Sequence, residues 1–181
     1  LSNHPKIKIK YLCATKNLGK NISYFDKRIK KKLPKISLVN KIDWNSLDLV
    51  FLSLPNGEAQ KVINKTFNKY KKLKYIDLSA DFRIKDLKKY YQNYQIKHKS
   101  PKLIKYSKYS ISEFNIKNLH KYRIIANPGC YPTSILIPMV PLIQKNYIKN
   151  GHEKAIVVWE SIRVARPNLP APKAKSSLKP F

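Results

Sequence analysis

"LVFLSLPNGEAQKVINKTFNKYKKLKYIDLSADFR" (Leu49–Arg83) decides the class of fold. Its opening, Leu49–Leu54, holds no charged residue, the pattern of a strand covered on both faces. The turn "PNG" follows, and from Glu58 onward Ala59, Val62, Ile63, Phe67 and Tyr70 recur at helical spacing. "KYIDLS" then returns to strand type. Strand, helix and strand in succession predict a parallel α/β sheet with helices on its faces.

The same alternation extends both ways. Upstream, "KIKIKYLCA" (Lys6–Ala14) alternates and then turns apolar, which predicts a strand entering a buried sheet. Downstream come a tyrosine-rich polar stretch with room for short helices, a helix in "SEFNIKNLH" with Ser112 as N-cap, and the strand "YRIIAN". "TSILIPMVPLI" has the length of a buried helix that Pro138 and Pro141 must kink or shorten. "AIVVWES" reads as one more strand, and "RVARPNLPAPKAKSSLKPF" as an irregular tail. Ligands of such sheets bind beyond the carboxyl ends of the strands, so "ATKN", "PNGEA", "SADFR" and "NPGCYPT" should share one rim.

Within that rim Cys130 stands between a Pro-Gly turn and a helix start. Free N–H groups and the positive end of the helix dipole favour thiolate over thiol there, which makes Cys130 a candidate nucleophile. N–H groups near Pro132–Ser134 are candidates to stabilise an oxyanion. "SADFR" has two readings: a hydrogen-bonded turn capped by Asp81, or an anion-binding loop in which Arg83 offers planar donors. "ATK" presents no acid where NAD-specific sheets hold the ribose, and Thr15 and Lys16 suit a 2′-phosphate, hence NADP. His4, His98, His120 and His152 lie in polar surroundings and are expected at the surface.

Composition narrows the classes further. The formal charge is +28, yet of 38 basic residues only Arg28, Arg83, Arg123, Arg163 and Arg166 are arginine. Lys, Ile, Asn and Tyr share A/T-rich codons, so genomic bias accounts for the lysines better than a nucleic-acid surface, which favours clustered Arg and aromatics. A basic α/β nucleic-acid-binding module is the alternative reading, separable by whether binding survives physiological salt. Cys13 and Cys130 form no CxxC or zinc pattern, so neither a disulfide nor a metal site is expected. No apolar run reaches membrane-spanning length and no secretory signal opens the chain, so the cytoplasm is expected.

Together "FLSLPNGEA", "IDLSADFR", "YSISEFN" and "IANPGCYPT" resemble the N-acetyl-gamma-glutamyl-phosphate reductases of arginine biosynthesis, collinearly from about His4 to Ser161. The resemblance implies an incomplete doubly wound, Rossmann-like NADP-binding domain over residues 1–153, then the first strand of a second α+β domain and an irregular tail over 154–181. It implies NADPH-dependent reduction of N-acetyl-glutamyl 5-phosphate, with Cys130 as nucleophile, and a homo-oligomeric complete enzyme. The rim positions expected to serve the site are Thr15, Lys16, Pro55 and Gly57 for the cofactor and Ser79, Arg83 and Asn127 for the substrate. The family's glycine-rich loop and second-domain histidine have no counterpart here. The change of composition near Trp159 suggests a truncation or frame shift, and the chain alone is expected to be inactive.

Overall fold

The computed structural model describes residues 1–148. The chain divides into two compact units, 1–134 and 135–181. The sequence expectations for "AIVVWES", the tail and a domain boundary at 153/154 lie outside the described residues.

The first unit holds a four-stranded, fully parallel sheet of order β3-β4-β6-β5, with β3 Leu49–Leu52, β4 Lys74–Asp77, β5 Ser107–Tyr109 and β6 Ile124–Ala126. β4 pairs with β3 and β6 so that Leu52, Asp77 and Ala126 stand side by side at the carboxyl ends. Helix α1 (Glu58–Thr66) crosses from β3 to β4 as predicted. Its Ala59 and Ile63, with Phe67 just beyond its end, join Leu52, Tyr75, Ile124 and Ala126 in one buried cluster. Phe82, Leu103 and Ile104 complete that core. The parallel α/β class is therefore as predicted.

Arg123 closes the crossover. Its guanidinium donates to the carbonyls of Phe67, Tyr70 and Leu73 and lies 3.8 Å from the Phe67 ring centroid. These carbonyls run from the C-cap of α1 through the connection to β4, so one guanidinium ties that connection together.

Several local expectations are corrected. β1 spans only Leu12–Cys13 and pairs with β2 (Ile36–Ser37) in a separate two-stranded parallel sheet; Lys6–Lys10 is not strand. The partner is short because Pro34 offers no N–H and a 3-10 turn begins at Val39. β3 is covered on one face only, with Leu49 and Phe51 exposed, because α1 packs against the opposite side. Helix α3 (Ser112–Leu119) has Ile111, not Ser112, at its N-cap. The Ser112 hydroxyl donates to the Glu113 carboxylate instead of capping the backbone.

The tyrosine-rich stretch contains α2 (Leu87–Tyr94), a 3-10 segment Pro101–Tyr106 and the unpredicted strand β5. Asp86 caps α2 by accepting from the Lys88 and Lys89 N–H groups. Helix α4 (Cys130–Gln144) runs through Pro138 and Pro141. No residue of it is fully buried, contrary to the expectation of a buried helix; Ile135, Leu136, Met139, Val140 and Ile143 are half-buried.

Candidate active site

The carboxyl ends of β3, β4 and β6 lead into three turns that hydrogen bonds lace together. Leu78 N–H donates to the Leu52 carbonyl at 2.9 Å, and Asn127 N–H donates to the Asp77 carbonyl at 2.8 Å. These bonds carry each parallel ladder one residue past its strand, so the turns start as neighbours.

Gly57 begins α1 in the left-handed region, φ 85°, and has no side chain with which to cap it. The cap comes from another turn. Asp81 accepts from Gly57 N–H at 2.7 Å through one carboxylate oxygen and from Gln60 N–H at 3.1 Å through the other. The first-turn donors of α1 thus meet a full negative charge where the helix dipole favours one. Tyr90 O–H donates to the same carboxylate at 3.2 Å, and Gln60 Nε2 donates to the Tyr90 oxygen at 2.7 Å. Asp81, Gln60 and Tyr90 are all fully buried. Burial, and then the Asp81 charge, hold the Tyr90 phenol well above the ordinary tyrosine range.

His98 is half-buried between the Phe82 and Tyr90 rings, not exposed as the sequence suggested. Its Nδ1 accepts from Ser100 N–H at 3.1 Å, which assigns the neutral ring's proton to Nε2, 2.9 Å from the Asp81 carbonyl oxygen. Burial lowers its pKa.

Asp77 ends β4 with a fully buried carboxyl. Its Oδ1 accepts from Ser79 N–H at 2.9 Å and from the Ser79 hydroxyl at 2.6 Å, while Oδ2 is buried without a partner. Burial raises its pKa. The Ser79 hydroxyl oxygen in turn accepts from Asp81 N–H at 3.1 Å. Asp77 and Ser79 therefore shape the "SADFR" turn, while the side chain of Asp81 serves α1.

Arg83 joins this turn to the next. Nε donates to the Asn127 carbonyl at 2.8 Å and Nη2 to the Leu78 carbonyl at 2.9 Å. Nη1 lies against Gly129, 3.3 Å from where a β-carbon would stand. Cys130 follows as the first residue of α4, with an exposed, free thiol. The Gly129 carbonyl accepts from both N–H and O–H of Thr133, which commits one of the N–H groups expected to face an oxyanion. The accessible thiol thus opens α4 directly after the residue against which the Arg83 guanidinium rests.

The fold thus gathers Gly57, Ser79, Arg83 and Asn127 into linked turns leading to Cys130, with Pro55 in the Gly57 turn, where its carbonyl accepts from Glu58 N–H. Thr15 and Lys16 follow β1 in the two-stranded sheet. Both are exposed, and no hydrogen bond ties them to this rim among the described residues. Gln60, Tyr90 and Asp77 escaped sequence reasoning, and His98 was expected at the surface; the one signal in the sequence was a polar Gln60 adjoining Ala59 on the apolar side of the helix. Among the described residues no cluster of His, Cys, Asp or Glu is arranged to hold a metal ion, and no helix is long and apolar enough to cross a membrane.

Residues 1–135 match the family described as "Semialdehyde dehydrogenase, NAD binding domain". The chain is 41% identical over 149 residues to a protein named N-acetyl-gamma-glutamyl-phosphate reductase from Ehrlichia ruminantium (strain Gardel), covering 81% of this chain and 42% of the relative. It is 39% identical over 150 residues to one named "Probable N-acetyl-gamma-glutamyl-phosphate reductase, chloroplastic" from Oryza sativa subsp. japonica, covering 82% of this chain and 35% of the relative. Among solved structures, aspartate semialdehyde dehydrogenase II from Vibrio cholerae superposes with a TM-score of 0.50 at 17% identity, over 75% of this chain and 34% of that one. That likeness shows the Rossmann-like fold. The chain spans less than half the length of these relatives.

Proposed function

Because the chain belongs to the semialdehyde dehydrogenase NAD-binding family, we propose that it carries the nucleotide-binding part and the nucleophile of an NADP-dependent N-acetyl-gamma-glutamyl-phosphate reductase acting in arginine biosynthesis. One observation carries this reading: Arg83 clasps the turn that delivers Cys130, with Nε on the Asn127 carbonyl and Nη1 against Gly129.

In this reading Cys130 Sγ attacks the acyl carbon of N-acetyl-glutamyl 5-phosphate, the C–O bond to phosphate breaks, and inorganic phosphate leaves a thioester on Cys130. NADPH, when bound, supplies the hydride that reduces that thioester. The resulting thiohemiacetal alkoxide collapses: its C–S bond breaks, the semialdehyde leaves, and the Cys130 thiolate takes a proton from solvent to regain the free thiol. Arg83 keeps Nη1 beside the Cys130 turn, where it favours an anionic leaving group. Exposed Thr15 and Lys16, with no acid between Ala14 and Lys20, fit a 2′-phosphate, and the Pro55–Gly57 turn is the place for the nucleotide at the end of β3. Ser79 and Asn127 complete the substrate side.

Among the described residues Cys130 has no acid-base group identified beside it. Such a group contributes typically about 10²-fold to 10⁴-fold, so turnover of the isolated chain is expected to be far below that of a full-length relative. The complete enzyme is read as a cytoplasmic homo-oligomer; the rice relative is named chloroplastic, so cell fractionation and light scattering decide these two points.

The test is phosphate-dependent reduction of NADP by N-acetyl-glutamate semialdehyde, measured with the full-length protein that carries these residues and with its Cys130→Ser variant. Loss of turnover in the variant supports the reading. Undiminished turnover in the variant, or none in the parent, overturns it.

A further inference from the structure

Asp81 does more than a helix cap requires. One neutral acceptor suffices to cap a helix start, and Asn or Ser provides it without burying a charge. Asp81 instead buries a full carboxylate at 0% exposure and meets no cation within salt-bridge distance among the described residues. It holds Gly57 and Gln60 of one turn and Tyr90 of a third element, while its own backbone sits between Ser79 and Arg83. Two residues later Arg83 clamps the Leu78 and Asn127 carbonyls and lies against Gly129.

A continuous path therefore runs from Gly57 through the Asp81 carboxylate, along the short backbone of the turn, through the Arg83 guanidinium, to the residue preceding Cys130. We propose that Asp81 is a positioning residue for Cys130, coupling the turn after β3 to the cysteine turn after β6 through Arg83. The inference rests on the reading of Cys130 as the reacting group, and it concerns geometry at that thiol, not the identity of the substrate. Asp81 touches no reacting atom. Its role is to fix the turn from which Arg83 reaches across, so that a disturbance at the α1 cap is felt at the thiol.

The experiment uses the 181-residue chain and iodoacetamide. Alkylation of Cys130 is followed by peptide mapping across a range of pH in the parent, Asp81→Asn, Asp81→Ala and Arg123→Ala. Arg123→Ala loosens the end of α1 without touching the path, and so serves as a control for general loss of stability. Asp81→Asn is expected to change the Cys130 rate by about threefold to tenfold and Asp81→Ala by more, because small misplacements of a reacting group carry large rate effects. Both Asp81 variants should displace the pH profile of alkylation, while Arg123→Ala leaves rate and profile at the parent values.

Parent-like rate and profile in folded Asp81→Asn would overturn the proposal, as would an equal change in Arg123→Ala. Should the Asp81 variants fail to fold by circular dichroism, Arg83→Lys decides: it keeps the charge but cannot hold two carbonyls and Gly129 at once, so an unaltered Cys130 rate in that variant also overturns it. These readouts need no turnover. A chain that alkylates as expected but whose full-length form does not reduce NADP would refute the proposed reaction and leave the coupling intact.

Discussion

The Nη1 atom of Arg83 stands 3.3 Å from the position a β-carbon on Gly129 would take, a little closer than ordinary van der Waals contact. A β-carbon there requires the guanidinium to give way by a few tenths of an ångström. Gly129→Ala is therefore expected to shift Arg83, strain its two carbonyl bonds and destabilise the chain by about 1 kcal/mol. Urea unfolding measures the stability loss, and Cys130 alkylation should change in the same variant.

Cys130 should alkylate faster than Cys13. Both thiols are exposed, so accessibility does not separate them. Cys130 opens α4, while Cys13 ends the short strand β1 with its sulfur 4.0 Å from the Ser37 hydroxyl. Mass-spectrometric mapping after brief labelling at mildly acidic pH checks this; equal or faster labelling at Cys13 contradicts it.

His98 gives the fold an acid-sensitive point. Its folded pKa is lowered by burial below the ordinary histidine value of about 6.5, so the unfolded chain takes up the proton first as pH falls. Its contribution to stability is present above about pH 6.5 and is lost as pH drops through the folded pKa. His98→Gln should flatten this part of the stability profile in urea titrations at a series of pH values. An unchanged slope would show that the proton goes elsewhere.

Asp77 acts in the opposite sense. Its folded pKa is raised by burial, so the folded chain binds the proton more tightly than the unfolded one, whose value is about 3.9. Stability from this group is greatest at low pH and declines as pH rises from about 3.9 through the folded pKa. Asp77→Asn retains an acceptor for the two Ser79 donors and should remove that decline. A decline of the same size in the variant would assign it to another carboxyl.

Arg123→Ala should destabilise by about 2–4 kcal/mol, because it leaves the carbonyls of Phe67, Tyr70 and Leu73 short of charged donors and removes the stacking on Phe67. Arg123→Lys should recover only part of this, since an ammonium cannot spread over three carbonyls and a ring face. Thermal unfolding monitored by circular dichroism ranks the two.

The crossover unit was legible in sequence because its signals are periodic: charge-free Leu49–Leu54, then the 3.6-residue spacing of Ala59, Val62, Ile63 and Phe67. Cys130 at a helix start was equally legible from Pro128, Gly129 and Pro132. Pairing partners were not. The two-residue length of β1 depends on how much strand its partner offers, and β5 hides in "SKY", three residues with no alternation of their own. Ser112 looked like a cap, yet the helix includes it and its hydroxyl turns to Glu113. Asp81 was visible as a residue but its role was not, because the donors it serves lie 21 and 24 positions earlier.

That separation bears on the order of folding. As the chain emerges from the ribosome, α1 is complete some 15 residues before Asp81 appears. During that interval its first turn has only water for its Gly57 and Gln60 donors, and a nine-residue helix is marginal in water on its own. Its consolidation therefore waits for β4 to pair with β3 and for the following turn to close. The docking event that supplies the cap is therefore expected to consolidate the helix, so that local and long-range structure gain stability together.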